Sequence, residues 1–292
     1  MKILYGTVQK YVDVTSTINQ TLDVIIPSGD VNRNKLFGIP DPLPGILKEV
    51  VINDIVYIHV IELIVNVQSN KVEILTYPEF LLSSTKLHEI HQTLQLSYGN
   101  FSEEYPEQIM AVSYIKPNNY VLEIGGNIGR NSMVIAKLLN DQTNLVTLES
   151  DSTIAAQLTH NRDNNKLTFN IENSALSARK LIQLGWDTIP SDILLPGYKP
   201  VSNISFDEIE KKYNKTFDTL VADCEGALYY ILQDFSTMLT NINTIIMEND
   251  YKDINQKNKV DEIIKANGFK RVYKEAGGWG PCYEFFFEVW KK

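Results

Sequence analysis

The residues best placed to do chemistry are carboxylates that each close a short apolar run. Leu145-Val-Thr-Leu-Glu149, Thr219-Leu-Val-Ala-Asp223 and Thr244-Ile-Ile-Met-Glu248 share this form, and Glu225 follows one residue beyond Asp223. Apolar runs of this length between polar flanks read as buried strands. Carboxylates at the C-terminal ends of parallel strands stand where open α/β sheets bind ligands. Asp223, Glu225 and Glu248 are therefore candidates for a general base, worth about 10²–10⁴-fold when an attacking hydroxyl must lose its proton. Competing roles for the trio are holding an ammonium group, holding a divalent cation, or capping a helix. No metal ligand set is assigned. His88 and His91 lie one turn apart but lack a matching third ligand, and read as a solvated helix face.

The second constellation is the run over residues 121–136, an apolar strand leading through Glu123-Ile-Gly-Gly-Asn-Ile-Gly129 into a helix. Gly125 and Gly126 permit a tight turn and close backbone approach, and Gly129 permits close packing where the helix begins. Dinucleotide sites favour Gly-x-Gly-x-x-Gly with pyrophosphate on the helix N-terminus. Here Asn127 takes the second glycine position and Glu123 precedes the first. A carboxylate repels pyrophosphate but suits the ammonium and sulfonium charges of S-adenosylmethionine (SAM). One βα unit later, Glu149 stands where an acidic residue accepts hydrogen bonds from ribose hydroxyls, with Ser150 and Asp151 alongside. Asp151 also reads as a helix N-cap. Ser174 and Ala175 close the third strand, where an adenine edge would lie, and Asp223 falls beside the methyl group.

The elements that must position these residues follow from the alternation after residue 120. Strands over 120–124, 145–149, 168–173, 219–223 and 244–248 alternate with helices over 128–139, 152–161, 227–235 and 255–267. Such alternation predicts βαβ units and a mainly parallel sheet. Residues 269–273 and 283–290 add a terminal β hairpin. The expected fold is an α/β, doubly wound, seven-stranded Rossmann-like sheet with that hairpin, preceded by a small antiparallel β domain. The predicted divisions are a β-rich domain over 1–76, a helical linker or lid over 77–116, and the ligand-binding domain over 117–292. In the first, strands are read at 11–15, 22–26, 47–52 and 55–67. The segment 37–45, with three prolines and two glycines, reads as an ordered turn. His59 stands alone in an apolar run and reads as packed. Helices are expected over 80–96 and from 102 to about 115, and the proline-bearing stretch 187–200 as a loop over the site.

Bulk properties narrow the classes. The 292 residues are 43% hydrophobic and carry a net charge of −9, with no dense Lys/Arg run. An acidic surface repels phosphate backbones, which argues against nucleic acid as a partner. Two cysteines, Cys224 and Cys282, make neither a disulfide framework nor a zinc site. The N-terminus lacks a charged-then-apolar signal pattern and no apolar run reaches spanning length, so a soluble, cytoplasmic location is expected. A homodimer is among the states this composition allows.

Over residues 120–251 the chain resembles the FkbM-type SAM-dependent methyltransferases. The similarity rests on Glu123-Ile-Gly-Gly-Asn-Ile-Gly129, on Glu149-Ser-Asp151 with Asn161, and on Val221-Ala-Asp-Cys-Glu-Gly-Ala227. Ala222 stands where the family commonly has lysine, and Ser150 replaces the proline after Glu149. The resemblance implies an O-methyltransferase acting on a sugar or glycoconjugate hydroxyl. Trp186, Tyr198, Trp279 and Tyr283 lie in loop-like or hairpin stretches and read equally as stacking faces for a sugar ring or as ordinary core aromatics. Two other readings compete: a catalytically inactive fold of this kind serving as a glycan- or protein-binding module, and a nicotinamide-dependent oxidoreductase, against which Asn127 counts.

Overall fold

The computed structural model describes residues 1–43, 48–57, 61–75, 78–185 and 187–292, and the side chains of all of these except 78–81. The expectations for Gly45, Leu47, His59 and Trp186 fall outside the described residues. The chain divides into two compact units, Met1–Lys86 and Leu87–Lys292.

The first unit is built from two antiparallel sheets. One orders Lys10–Asp13, Ile3–Thr7, Glu49–Ile52 and Ile55–Tyr57; the other orders Val24–Ile26, Leu63–Asn66 and Lys71–Ile74. Alternation buries Ile3 with Tyr5, and Val50 with Ile52. The strand expected at 11–15 ends at Asp13, and a 3₁₀ turn, Thr15–Thr17, follows. A helix, Asp30–Phe37, occupies a stretch that sequence reading had not assigned, so Phe37 closes a helix rather than opening a turn. Gly38, in the left-handed region, then donates its N–H to Asn34 O and Lys35 O. The helix is held by a polar anchor: buried Arg33 donates to Pro27 O at 2.8 Å and Ile61 O at 2.6 Å.

The second unit is organised by a seven-stranded sheet. Its strands are β1 (Val121–Ile124), β2 (Leu145–Leu148), β3 (Asn170–Glu172), β4 (Thr219–Ala222), β5 (Thr244–Glu248), β6 (Lys270–Glu275) and β7 (Phe287–Lys291). They lie in the order β3-β2-β1-β4-β5-β7-β6, with β1 to β5 parallel and β7 antiparallel to both neighbours. Every residue of β1, β2 and β4 is buried. That explains their largely apolar sequences, since helices cover both faces of such strands, with Glu123 as a buried charged exception in β1. The helices are α1 (Tyr105–Tyr114), α2 (Arg130–Leu138), α3 (Ser152–Asn164), α4 (Phe206–Tyr213), α5 (Leu228–Asp234) and α6 (Ile254–Ala266). The strand order reverses between β1 and β4, and a crevice at such a switch point is where doubly wound sheets bind ligands.

Several boundaries differ from the sequence reading. The stretch 187–200 is no simple loop: Asp187–Pro190 and Lys199–Val201 flank Leu181–Leu184 in a three-stranded antiparallel sheet. The last strand is shorter than expected because residues 280–285 wind into a 3₁₀ segment. His91 is not on a solvated face, since its ring stacks on Phe101 at 4.4 Å and bonds Gln108 at 2.6 Å. No described helix is long and apolar enough to cross a membrane.

Candidate functional site

The turn after β1 is shaped by backbone crowding. Gly125 and Gly126 both donate N–H to Leu148 O, at 3.0 and 2.8 Å. Gly125 has φ +90°, and a Cβ there would sit 1.5 Å from the carbonyl oxygen of Asp223. Only glycine lets β1 and β4 close at this point. A Cβ at Gly126 would lie 2.3 Å from Thr147 Oγ1, and one at Gly129 2.4 Å from Leu158 Cδ1, so α2 also begins under tight packing.

Glu149 ties this turn to the next one. One of its oxygens accepts the Asn127 N–H at 2.9 Å and the other the Asp151 N–H at 2.8 Å. Asn127 adopts the left-handed conformation, and its amide donates to Glu104 Oε1 at 2.8 Å. Asp151 caps α3 through the N–H groups of Thr153 and Ile154. Burial pushes the Glu149 carboxyl up to about 7, against the pull of its backbone donors.

These residues open onto a cavity of about 700 Å³ at the C-terminal edge of the sheet. Gly125, Asn127, Glu149, Ser150, Ser174, Ala175, Asp223 and Glu225 all line it, so most of the residues singled out from the sequence meet in one place. Glu123, Gly126, Gly129 and Glu248 do not line it. Glu123 lies beneath the turn, 1% exposed, accepting from Ser132 Oγ at 2.5 Å and Asn131 Nδ2 at 3.2 Å. Burial raises its carboxyl to about 7.

The carboxylate edge is larger than the three residues read from the sequence. Asp223 and Glu248 are joined by Glu107 of α1, with one oxygen from each lying within 4.8 Å of the others. Glu248 is raised to about 10 by burial and by the facing Glu107. Burial lifts Glu107 to about 7 and holds Asp223 well above the carboxylate range, Glu248 adding to the latter. Glu225 is raised to about 8 by burial and then by Asp250, which also lines the cavity. Each such group, once ionised, is a stronger base than a free carboxylate. Cys224 between them is a poor nucleophile, because burial pushes its thiol up to about 12.

The other walls combine elements that the sequence tied to the site with elements that it did not. Arg179 lines the cavity, bound to Asp234 through two nitrogens at 2.7 and 3.0 Å and lying 4.9 Å over the Tyr230 ring. Trp279 also lines the cavity, 57% exposed, whereas Tyr198 and Tyr283 do not line it. Glu107, Asp250 and Arg179 were not singled out in the sequence. Glu107 sits in the helix-opening stretch after Ser102, where acidic residues are ordinary, and only the rotation of α1 turns it inward.

No protein-family model matches the chain, and no curated protein matches it. Among solved structures, it is similar to a putative O-methyltransferase from Klebsiella pneumoniae at 12% identity and a TM-score of 0.42, covering 74% of this chain and 90% of that one. An O-methyltransferase from Bacillus cereus in complex with SAH gives 15% identity and a TM-score of 0.42, covering 71% and 91%. A Streptococcus agalactiae protein of the NADB-Rossmann superfamily gives 14% and 0.42, covering 68% and 69%. At these scores the likeness carries no argument, and the fold rests on the strand order itself.

Proposed function

We propose that the chain is a SAM-dependent O-methyltransferase acting on a hydroxyl of a sugar or glycoconjugate. The observation that carries this reading is the placement of Glu149: its carboxylate lines the switch-point cavity immediately after β2 while both its oxygens brace the glycine turn. Each oxygen retains a lone pair for a ribose hydroxyl. Gly125 and Asn127 border the side where the methionine half would lie, and Ser174 and Ala175 the adenine side. Glu123 is assigned a supporting role, fixing α2 against β1 beneath the turn.

The same geometry disfavours a nicotinamide cofactor. A pyrophosphate needs free N–H groups at the turn, but the Asn127 N–H is given to Glu149 and the Asn127 side chain to Glu104. Two carboxylates at that point would repel it.

Bound SAM supplies an electrophilic methyl group. The protein aligns the acceptor oxygen for in-line displacement, which accounts for much of the rate in such reactions. The protein's own part in the transfer would be to take the hydroxyl proton onto a carboxylate. Asp223 is the first candidate for that base, lining the cavity at the end of β4, with Glu225 beside it and Glu248 behind. Trp279 at the cavity wall offers a face for a sugar ring. Release of S-adenosylhomocysteine across a panel of sugar acceptors tests the activity. Asp223→Asn should lower turnover far more than SAM affinity. Tight SAM binding with no turnover on any acceptor would instead favour a non-catalytic binding module.

A further inference from the structure

We propose that Glu107, Asp223 and Glu248 form a site for one hard divalent cation, completed by a ligand that α1 brings to the sheet edge. The three carboxylates come from separate elements: α1, the residue after β4, and the end of β5. One oxygen from each lies within 4.8 Å of the other two, a spacing one cation can bridge. Asp223 also lines the cavity, so a cation held here stands beside its contents, and with Asp223 taken up as a ligand the role of base falls to Glu225.

The burial of Glu107 is the independent sign of a missing partner. Its residue is 5% exposed, and its Oε2 accepts no hydrogen bond from any protein donor. It faces Glu248, and two carboxylates are both acceptor-only when ionised. Oxygens so arranged need a proton or a cation between them. Among the described residues no Lys or Arg forms an ion pair with any of the three. Arg130 of α2 is committed to Glu103, Glu104 and the Asn100 carbonyl. A shared proton bridges Glu107 and Glu248 but does not reach Asp223, whereas a divalent ion meets all three.

The donor set selects the ion class. Three carboxylates with no nitrogen or sulfur donor suit Mg²⁺, Mn²⁺ or Ca²⁺ rather than zinc or copper. His88 and His91 play no part, since Gln92 and Gln108 take them.

The test is a titration of the full chain with Mn²⁺, followed by electron paramagnetic resonance and calorimetry, with no SAM present. The expected result is one Mn²⁺ per chain, displaced by Mg²⁺. Glu107→Gln should weaken it by at least the roughly tenfold lost when even an outer-shell partner is removed. Glu262→Gln, an exposed acid on α6, should bind as the parent does. Because Glu107→Gln is nearly isosteric, its folding is checked by circular dichroism; if it fails to fold, Glu248→Gln takes its place. Absence of Mn²⁺ binding at millimolar concentration overturns the proposal in favour of a shared proton. Equal affinity in the parent and in the folded variant overturns it too. Since SAM is left out, failure here leaves the methyl-transfer reading standing, and failure of SAM to bind leaves the cation site standing.

Discussion

Replacing Glu149 with glutamine probes the hinge of the proposed cofactor site. The carboxylate is 7% exposed and accepts one backbone N–H on each oxygen, at 2.9 Å from Asn127 and 2.8 Å from Asp151. The amide keeps one acceptor and turns an NH₂ donor toward the other N–H. One hydrogen bond to a charged group is lost, about 1.5–3 kcal/mol, and a buried donor is left unmet. Relief from burying a charge offsets part of this, because Glu149 already resists ionisation. A net destabilisation of about 2 kcal/mol follows, or a fall in Tm of roughly 4–8 °C. Affinity should suffer too. Losing one of the two acceptor oxygens offered to the ribose hydroxyls removes about 1.5–3 kcal/mol, roughly ten- to a hundredfold in Kd. Calorimetric titration with S-adenosylhomocysteine, beside thermal unfolding of parent and variant, measures both. Since ribose hydroxyls require the ionised form, parent affinity should also weaken as the pH falls below about 7. A variant that keeps the parent Kd within about twofold, and loses none of that pH dependence, would refute the reasoning.

Other outcomes follow from the same geometry. Gly125→Ala should abolish soluble protein or lower Tm sharply, because its Cβ would meet the Asp223 carbonyl at 1.5 Å with φ at +90°; a normally melting variant would show that β1 and β4 can separate there without cost. Glu107 and Glu123 are both raised from 4.5 to about 7. Folded carboxyls with raised values hold protons that the unfolded chain has released, so stability is highest at low pH and falls as pH climbs from about 4.5 through 7. Each group contributes up to about 1.4 kcal/mol per pH unit in that window. Melting curves in chelator should show this decline, and added Mg²⁺ should flatten it. Lys257 is 1% exposed and donates to the fully buried Glu288 at 2.8 Å, which also accepts from Arg271 and Trp290. Lys257→Met leaves Glu288 with Arg271 as its one remaining counter-charge and should cost about 3 kcal/mol, the lower end for a broken buried pair; chemical denaturation checks it.

Much of the large sheet is legible in the sequence, for a physical reason. β1, β2 and β4 are buried on both faces, so they read as largely apolar runs that end abruptly at Gly125, Glu149 and Asp223. The strand ends that line the cavity are legible for the same reason. Glu123 is harder to read, since its partners Asn131 and Ser132 come from a helix whose rotation no local pattern specifies. Glu107 is hidden likewise, as a helix-opening acid normally faces water. In the first unit, Asp30–Phe37 shows little amphipathic pattern, because the helix is anchored through buried Arg33 as well as Phe37. The small sheet around Asp187–Pro190 was masked by prolines: Pro190 ends one edge strand and Pro200 lies within the other, and edge strands tolerate a missing N–H.

The most direct measurement is a crystal structure of the protein soaked with S-adenosylhomocysteine. The account predicts ribose hydroxyls against the Glu149 carboxylate, adenine beside Ser174 and Ala175, and the sulfur turned toward Asp223. Density for the molecule anywhere else, or a cavity that stays closed to it, would contradict the account.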